Sequence, residues 1–161
     1  MTKKLKEFIP YIVIIVIVVL IRSFFITPGL VNGSSMEGTL FHKDLVLINK
    51  IGLKNGINRY DIVVVKYENT TIIKRVIGLP TEKVKYINNK LYINDQEVDT
   101  PIKFDYTHDF ELTAGENEYI VLGDNRNVSK DSRIIGPVNI KNIKGKVNLV
   151  LFPFKRFGKV K

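Results

Sequence analysis

The sequence is organised around the stretch Gly33-Ser34-Ser35-Met36-Glu37-Gly38-Thr39-Leu40. It begins shortly after a long apolar run ends at Ile26, and a region rich in Val and Ile follows it. Gly33 and Gly38 permit sharp turns on either side of the serines. A serine on such a turn can be presented to a substrate, with backbone N–H groups directed at a developing oxyanion. The same octapeptide is also compatible with a simple linker turn.

The segment before this stretch predicts a transmembrane helix at residues 8–26. Residues 8–21 are apolar throughout, and Phe24, Phe25 and Ile26 extend the run beyond Arg22. A helix over residues 8–26 would be roughly 28 Å long, close to the ~30 Å thickness of a bilayer core. Arg22 lies near the far end, where a long side chain can reach the lipid headgroups.

Three lysines in residues 1–7 predict that this N-terminal segment is cytoplasmic and that residues 27–161 lie on the outer face. Two alternatives compete with the membrane anchor. A cleavable signal peptide needs a small-x-small site after the run, whereas residues 22–30 contain bulky aromatics and no such site. A buried core helix would be difficult to accommodate in so small a domain.

Composition limits the remaining function classes. The 161 residues suffice for one compact domain besides the N-terminal segment. There is no cysteine, which excludes disulfides, thiolate metal sites and a cysteine nucleophile. The net charge of +9 favours an acidic partner surface such as anionic lipid. Nucleic acid is not expected as a partner, because no basic helix or cluster of basic and aromatic residues supports that use of the charge.

Residues 27–161 read as a single β domain. Short runs of β-branched residues are separated by Gly- and Asn-containing turns, and this pattern predicts a mainly β fold, an antiparallel β-barrel or folded sheet. The polar residues 95–118 are interpreted as an irregular surface excursion. The predicted strands are residues 45–48, 61–67, 71–77, 83–87, 90–93, 119–122 and 146–152.

A serine nucleophile needs a base, and His42 and His108 are the only histidines. Neither has a motif around it, so a Ser/His/Asp triad is the weaker alternative. Lys74 lies in a strand-like run where Ile72 and Val76 would share its face. Burial there would lower the pKa of the amine and allow it to accept a proton from a serine. The competing interpretation is a solvated lysine on an exposed strand face.

A polar loop at residues 123–133 follows the predicted strand 119–122. It does not fit a calcium-binding loop, because its sixth position is Ser129 rather than Gly and its twelfth is Ile135 rather than Glu. No metal site or cofactor is expected. The many short polar side chains instead favour a loop that connects strands and orients a neighbouring group.

Together these segments resemble the type I signal peptidases of bacteria, the membrane-anchored Ser/Lys endopeptidases that remove signal peptides. The resemblance covers nearly the whole chain and is closest to the compact form of the family, with one span and no large inserted domain. Besides the N-terminal segment with Arg22 and Pro28, it rests on four ordered boxes, at residues 35–36, 59–64, 74–80 and 123–133.

The resemblance implies Ser35 as nucleophile and Lys74 as general base. It implies that Ser129 hydrogen-bonds the Lys74 amine and orients it. Asp131 and Arg133 would form a supporting ion pair near the site, with Arg75 close by.

The resemblance also implies how a signal peptide would bind. The backbone of Ser35 and Gly33 would hold the oxyanion. The peptide would lie extended between the segment before Ser35 and the strand that contains Lys74, where Val31 and Ile73 would line shallow pockets for small residues. Met36 would lie at the membrane-facing surface. The expected partners are therefore exported preproteins and the lipid bilayer, and the expected location is the bacterial plasma membrane.

The sequence departs from the family pattern in three places. Gly38 replaces a usual Pro, Tyr60 a usual Gly, and Thr81-Glu82 a usual Gly-Asp. The missing Pro alone would cost ~0.4–1 kcal/mol if the turn kept its geometry. Two rival functions remain: a self-cleaving repressor, which would carry a DNA-binding domain in place of the apolar segment, and a catalytically silent membrane-anchored homologue that binds peptides.

Overall fold

Two antiparallel sheets follow an N-terminal helix in the computed structural model, which describes residues 3–24, 26–53, 55–102, 104 and 106–160. The helix α1 spans Lys3–Phe24 and coincides with most of the segment predicted at residues 8–26. The side chains of residues 8–19 are all exposed, whereas Phe25 lies outside the described residues. Across the described residues, no helix combines the length and the apolarity that a membrane span requires.

The larger sheet has eight strands, and hydrogen bonds connect seven of them in the order β1-β2-β11-β3-β4-β9-β10, with β12 beside β11. Its strands are β1 (Ile26–Leu30), β2 (Leu45–Asn49), β3 (Ile62–Tyr67), β4 (Thr70–Gly78), β9 (Glu118–Leu122), β10 (Val138–Asn139), β11 (Ile143–Phe152) and β12 (Gly158–Lys159). The short helix α2 (Ser132–Ile135) lies between β9 and β10.

The smaller sheet has the order β7-β6-β5-β8. Its strands are β5 (Lys83–Ile87), β6 (Lys90–Ile93), β7 (Gln96–Glu97) and β8 (Phe110–Thr113). The prediction that residues 95–118 are irregular is therefore wrong for β7 and β8. Phe110 and Leu112 pack on the core between the sheets, and this alternation of apolar and polar residues is the pattern of a half-buried strand.

The predicted barrel is not formed by the described residues. The larger sheet is open and ends at β1 and β10. Pro28 lies in β1 and has no N–H to donate to another strand, and β10 contains two residues only. Neither edge therefore offers a long ladder of hydrogen bonds through which the sheet could close.

The strand β3 shows how the sequence places the core. Ile62 and Val64 pack on one face of the sheet, with the residues around the turn after β1, whereas Val63 and Val65 pack on the other. Successive side chains of a strand point to opposite faces, so four consecutive aliphatic residues require cover on both faces. The neighbouring strand β4 pairs with β3 from Thr70 to Arg75 and with β9 only from Arg75 onwards. This pairing brings Lys74 and the loop after β9 to the same end of the sheet.

Candidate active site

The serine stretch forms a compact turn that is held on the sheet by buried apolar side chains. Backbone hydrogen bonds run from the N–H of Glu37 to Ser34 (3.0 Å) and from the N–H of Leu40 to Met36 (2.8 Å). Met36 and Leu40 are buried in the core, whereas Ser35 is partly exposed. The two apolar side chains therefore hold the turn on the sheet and leave the serine hydroxyl accessible.

Lys74 is buried, with 2% of its surface exposed, and its Nζ donates a hydrogen bond of 2.7 Å to Ser35 Oγ. Burial lowers the pKa of the Lys74 amine to about 8, although the carboxylates of Asp131 and Asp124 act in the opposite direction. The interpretation of Lys74 as a solvated surface residue is thus wrong. An amine with this pKa is neutral in an appreciable fraction of molecules near neutral pH and can accept a proton from the hydroxyl it contacts.

A buried ion pair joins the strand of Lys74 to the loop after β9. Arg75 makes two hydrogen bonds to Asp124, from Nε to Oδ1 (2.8 Å) and from Nη2 to Oδ2 (2.7 Å). The Thr39 hydroxyl donates to Asp124 Oδ2 (2.6 Å) and accepts from Arg75 Nη2 (3.0 Å). Sequence reasoning gave no role to Asp124 or Thr39, although Asp124 lies in one of the boxes that carry the family resemblance and Thr39 lies in the serine stretch.

The loop at residues 123–133 also contacts the serine turn through its backbone. The Asn125 N–H donates to the Ser35 carbonyl (3.1 Å). A Cβ at Gly123 would collide with the Ser129 side chain and would lie 2.5 Å from the Ser35 carbonyl oxygen. Glycine is therefore required at 123 because the loop and the turn approach each other there without space for a side chain.

Asp131 and Arg133 form an ion pair of 2.8 Å. Burial alone would raise the pKa of Asp131, but the side chain of Arg133 and the backbone N–H of Gly123 donate hydrogen bonds to the carboxylate and hold that pKa below its ordinary value. Asp131 also caps the helix α2 by accepting from the Arg133 N–H. The carboxylate thus fixes the loop, and it carries a negative charge near Lys74.

Two polar groups behave differently from the expectation. Ser129 Oγ, predicted to hydrogen-bond Lys74, is buried and makes no hydrogen bond to Lys74; it lies near Asp131 instead and helps to lower the pKa of that carboxyl. The Gly33 N–H, predicted as an oxyanion donor, donates to His42 Nδ1 (3.2 Å). The Ser35 N–H takes part in no hydrogen bond within the described part of the chain.

Neither histidine is placed as a base for Ser35. His42 accepts from Gly33 through Nδ1, and His108 is exposed with its ring edge-to-face against Tyr106. The hydroxyl of Ser35 contacts Lys74, as described above. The geometry consequently favours the Ser/Lys pair over the Ser/His/Asp alternative.

A groove with a volume of about 470 Å³ leads to Ser35 and Lys74. It runs between residues 29–33 on one side and residues 69–74 at the start of β4 on the other, and Val31, Met36 and Ile73 all line it. Met36 is 2% exposed and belongs to the core, so the expectation that it lies at a membrane-facing surface is wrong. Met36 instead lines the groove from the core side.

Comparison with known proteins gives a consistent result. The model of the family described as "Signal peptidase, peptidase S26" matches residues 5–152. Signal peptidase IB from Staphylococcus aureus is 37% identical over an alignment that covers 98% of this chain and 94% of that protein. Signal peptidase I from Streptococcus pneumoniae is 32% identical, with 96% of each chain covered.

Among solved structures, the crystal structure of a signal peptidase I from Enterococcus faecalis V583 aligns with a TM-score of 0.50 at 33% identity. The alignment covers 60% of this chain and 97% of that one. The mainly β architecture with antiparallel sheets is therefore shared with that enzyme.

Gly38 offers a test of the turn geometry. Its φ of +98° lies far from the value of about −65° to which Pro is restricted. The turn therefore lacks the backbone geometry of a Pro, which the cost given above for the missing Pro assumed. We expect Gly38→Pro to lower the free energy of unfolding by more than about 1 kcal/mol, and Gly38→Ala to cost about 1–2 kcal/mol. Denaturant unfolding followed by circular dichroism measures both. A Pro variant as stable as the unsubstituted protein would contradict the observed backbone.

The buried Lys74 amine predicts a dependence of stability on pH. Its pKa in the folded protein, about 8, lies below the ordinary value of 10.5. The folded state therefore binds fewer protons than the unfolded state between these values, and stability rises with pH across that interval. At pH 7 the penalty is about 3 kcal/mol, partly offset by about 1 kcal/mol from the hydrogen bond to Ser35.

Lys74→Met should accordingly raise the free energy of unfolding by about 2 kcal/mol at pH 7, and the gain should shrink between pH 8 and 10.5. Parallel denaturation curves of the two proteins at several pH values measure the difference. A difference in stability that does not change between pH 7 and 10.5 would show that the pKa of Lys74 is not lowered in the folded protein.

Proposed function

Since this chain belongs to the peptidase S26 family of signal peptidases and is a serine peptidase, we propose that it cleaves the signal peptides of exported preproteins after a small-x-small motif. Ser35 is the proposed nucleophile and Lys74 the proposed general base. The observation that carries this proposal is the 2.7 Å hydrogen bond from the buried Lys74 Nζ to Ser35 Oγ at the end of an open groove.

In the proposed reaction, neutral Lys74 removes the proton from Ser35 Oγ as the oxygen attacks the scissile carbonyl. The Ser35 N–H donates to the resulting oxyanion, for which it has no competing partner among the described residues. The ammonium of Lys74 then protonates the leaving amine and becomes neutral again. It finally activates a water molecule that hydrolyses the acyl-enzyme.

The supporting residues have distinct proposed roles. Asp131 and Arg133 hold the loop at residues 123–133 against the site, and Arg75 fixes the strand next to Lys74. Ser129 Oγ makes no hydrogen bond to Lys74 in this structure. We propose that it accepts from the Lys74 amine once Ser35 Oγ has turned towards the substrate, so that the amine keeps an oriented partner through the reaction.

The groove supports binding of the substrate as an added strand. Residues 70–74 of β4 pair with β3 alone, so their second edge faces the groove. On the opposite side, β1 pairs with β2 alone. An extended peptide between these two edges can form backbone hydrogen bonds with each of them. Val31, Ile73 and the buried Met36 would leave shallow pockets that select small residues.

We also propose that residues 8–26 anchor the chain in the bacterial plasma membrane, with residues 1–7 cytoplasmic and the β domain on the outer face. Residues 8–19 of α1 present large apolar side chains without cover from the domain. A helix that is apolar all round is expected to be buried in protein or in lipid. The basic surface of the chain would further attract it to anionic lipid.

The central test is the loss of cleavage when either member of the dyad is changed. Ser35→Ala should remove cleavage of a preprotein that carries a small-x-small site, and Lys74→Met should lower kcat by about 10²–10⁴-fold. The double variant should cleave no more slowly than the less active of the two single variants, because the two residues act as a unit. His42→Ala and His108→Ala are matched controls that should keep the Ser/Lys chemistry.

The same assay over a range of pH identifies the base. Because only neutral Lys74 accepts a proton, kcat should rise tenfold per pH unit at low pH and approach a plateau above a midpoint of about 8. A midpoint near ~6.5 that disappears in a histidine variant would assign the base to imidazole instead. Binding of the preprotein without any cleavage at all would favour the silent homologue.

The anchor is tested by removing residues 1–26. The full chain should stay with membranes after an alkaline wash, whereas the shortened chain should be released. The shortened chain should also process membrane-borne preproteins less efficiently, because it loses the high effective concentration at a shared surface. Ser35→Ala in the full chain is the control for membrane attachment without activity. Digestion of the β domain by a protease on the cytoplasmic side would reverse the proposed orientation.

A further inference from the structure

The hydroxyl of Thr39 lies between the two members of the buried Arg75–Asp124 ion pair. It donates to Asp124 Oδ2 at 2.6 Å and accepts from Arg75 Nη2 at 3.0 Å. Arg75 is 1% exposed and Asp124 5%. Hydrogen bonds to charged groups are shorter and stronger than those between neutral groups. Because Arg75 and Asp124 are buried and bound to each other, their hydrogen bonds fix the direction of the Thr39 side chain.

These contacts hold the serine turn at both of its ends. Asp124 accepts from Thr39 four residues after Ser35, and the next residue of the loop, Asn125, donates its N–H to the Ser35 carbonyl. The other partner of Thr39, Arg75, follows Lys74 directly in β4. A single cluster thus connects the segment that carries the nucleophile to the strand that carries the base.

We infer that Thr39 is a positioning residue, whose hydroxyl sets the location of Ser35 Oγ relative to Lys74 Nζ and to the scissile carbonyl. This role rests on the proposed function of Ser35 and Lys74. Without the hydroxyl, the far end of the turn loses its attachment to Asp124 and Arg75. Burial of Met36 and Leu40 still holds the turn on the sheet, but its polar attachment to the loop and to β4 is reduced to the contacts that Ser35 makes with Asn125 and Lys74. A displacement of about 1 Å at a reacting atom can cost about 10²-fold in rate.

A role in positioning differs from a role in stability through its effect on kinetic parameters. Thr39 does not line the groove, so loss of its hydroxyl leaves the peptide-binding surface intact. The effect should fall on kcat, which depends on the geometry of attack, and leave KM nearly unchanged. Burial lowers the pKa of Lys74, the charges of Asp131 and Asp124 raise it, and that of Arg133 lowers it. Thr39→Val removes a neutral hydroxyl and leaves these charges and the burial of Lys74 in place, so the midpoint of the pH–rate profile should not move.

The experiment compares Thr39→Val with Thr39→Ser in the full chain, purified in detergent and assayed with a small-x-small peptide. Valine keeps the shape and removes the hydroxyl, whereas serine restores it. Thr107→Val is the matched control, because the hydroxyl of the buried Thr107, like that of Thr39, accepts from a buried arginine, in this case Arg126 Nη1 at 2.7 Å. Unfolding curves of all variants record the stability that each change costs.

Thr39→Val should lower kcat by about 10–100-fold, with KM and the pH midpoint unchanged, and Thr39→Ser should recover most of the rate. Thr107→Val should lose similar stability while kcat stays within about twofold, since Arg126, the arginine that the Thr107 hydroxyl contacts, belongs to neither the serine turn nor β4.

Two results would overturn the role of Thr39: a kcat for Thr39→Val close to that of the unsubstituted protein, or an equal loss of kcat in Thr107→Val. Ser35→Ala and Lys74→Met are assayed in parallel. If either kept its activity, the proposed function itself would fail, which is a different result from the failure of Thr39 alone.

Discussion

The buried ion pair between Arg75 and Asp124 is the interaction on which the candidate active site depends. Both side chains are almost fully buried, and they join β4 to the loop after β9 through two hydrogen bonds. Loss of one partner would leave an uncompensated charge in the interior, which typically costs about 3–5 kcal/mol. The pair therefore fixes the relative position of two segments that are distant in sequence. The turn with Ser35 is attached to both of them.

This arrangement also explains why Lys74 can serve as a base. Two carboxylates lie close enough to raise its pKa, and a direct ion pair with either would keep the amine charged. In the structure Asp124 is bound by Arg75 and Asp131 by Arg133. The arginines occupy the carboxylates, and the amine is left to contact a hydroxyl. Burial of Lys74 then lowers stability near neutral pH, which is a cost of keeping the amine partly neutral.

The fold was predictable where the pattern of apolar residues is strong. The runs around Val63 and Lys74 gave strands within one or two residues of those observed, because aliphatic residues in these runs must be covered on both faces of the sheet. The strands β1, β7, β8, β10 and β12 were missed, since they are short and their pairing depends on neighbours that local patterns do not specify. The prediction of a barrel was wrong for a related reason. Closure of a sheet into a barrel depends on how its edge strands meet, and no local sequence pattern specifies this.

The sequence by itself offered candidate residues for the proposed chemistry, Ser35 on a turn between glycines and Lys74 within an aliphatic run. The family resemblance favoured them over a linker turn and a solvated lysine, and it also implied the ion pair of Asp131 and Arg133. Only the tertiary structure decided the other charge pairs and which groups are buried. Arg75 pairs with Asp124, 49 residues away, and Thr39 reaches the same carboxylate across 85 residues. Such contacts depend on where sheet pairing and core packing bring distant segments together. The charged residues of the sequence alone are compatible with several alternative pairings.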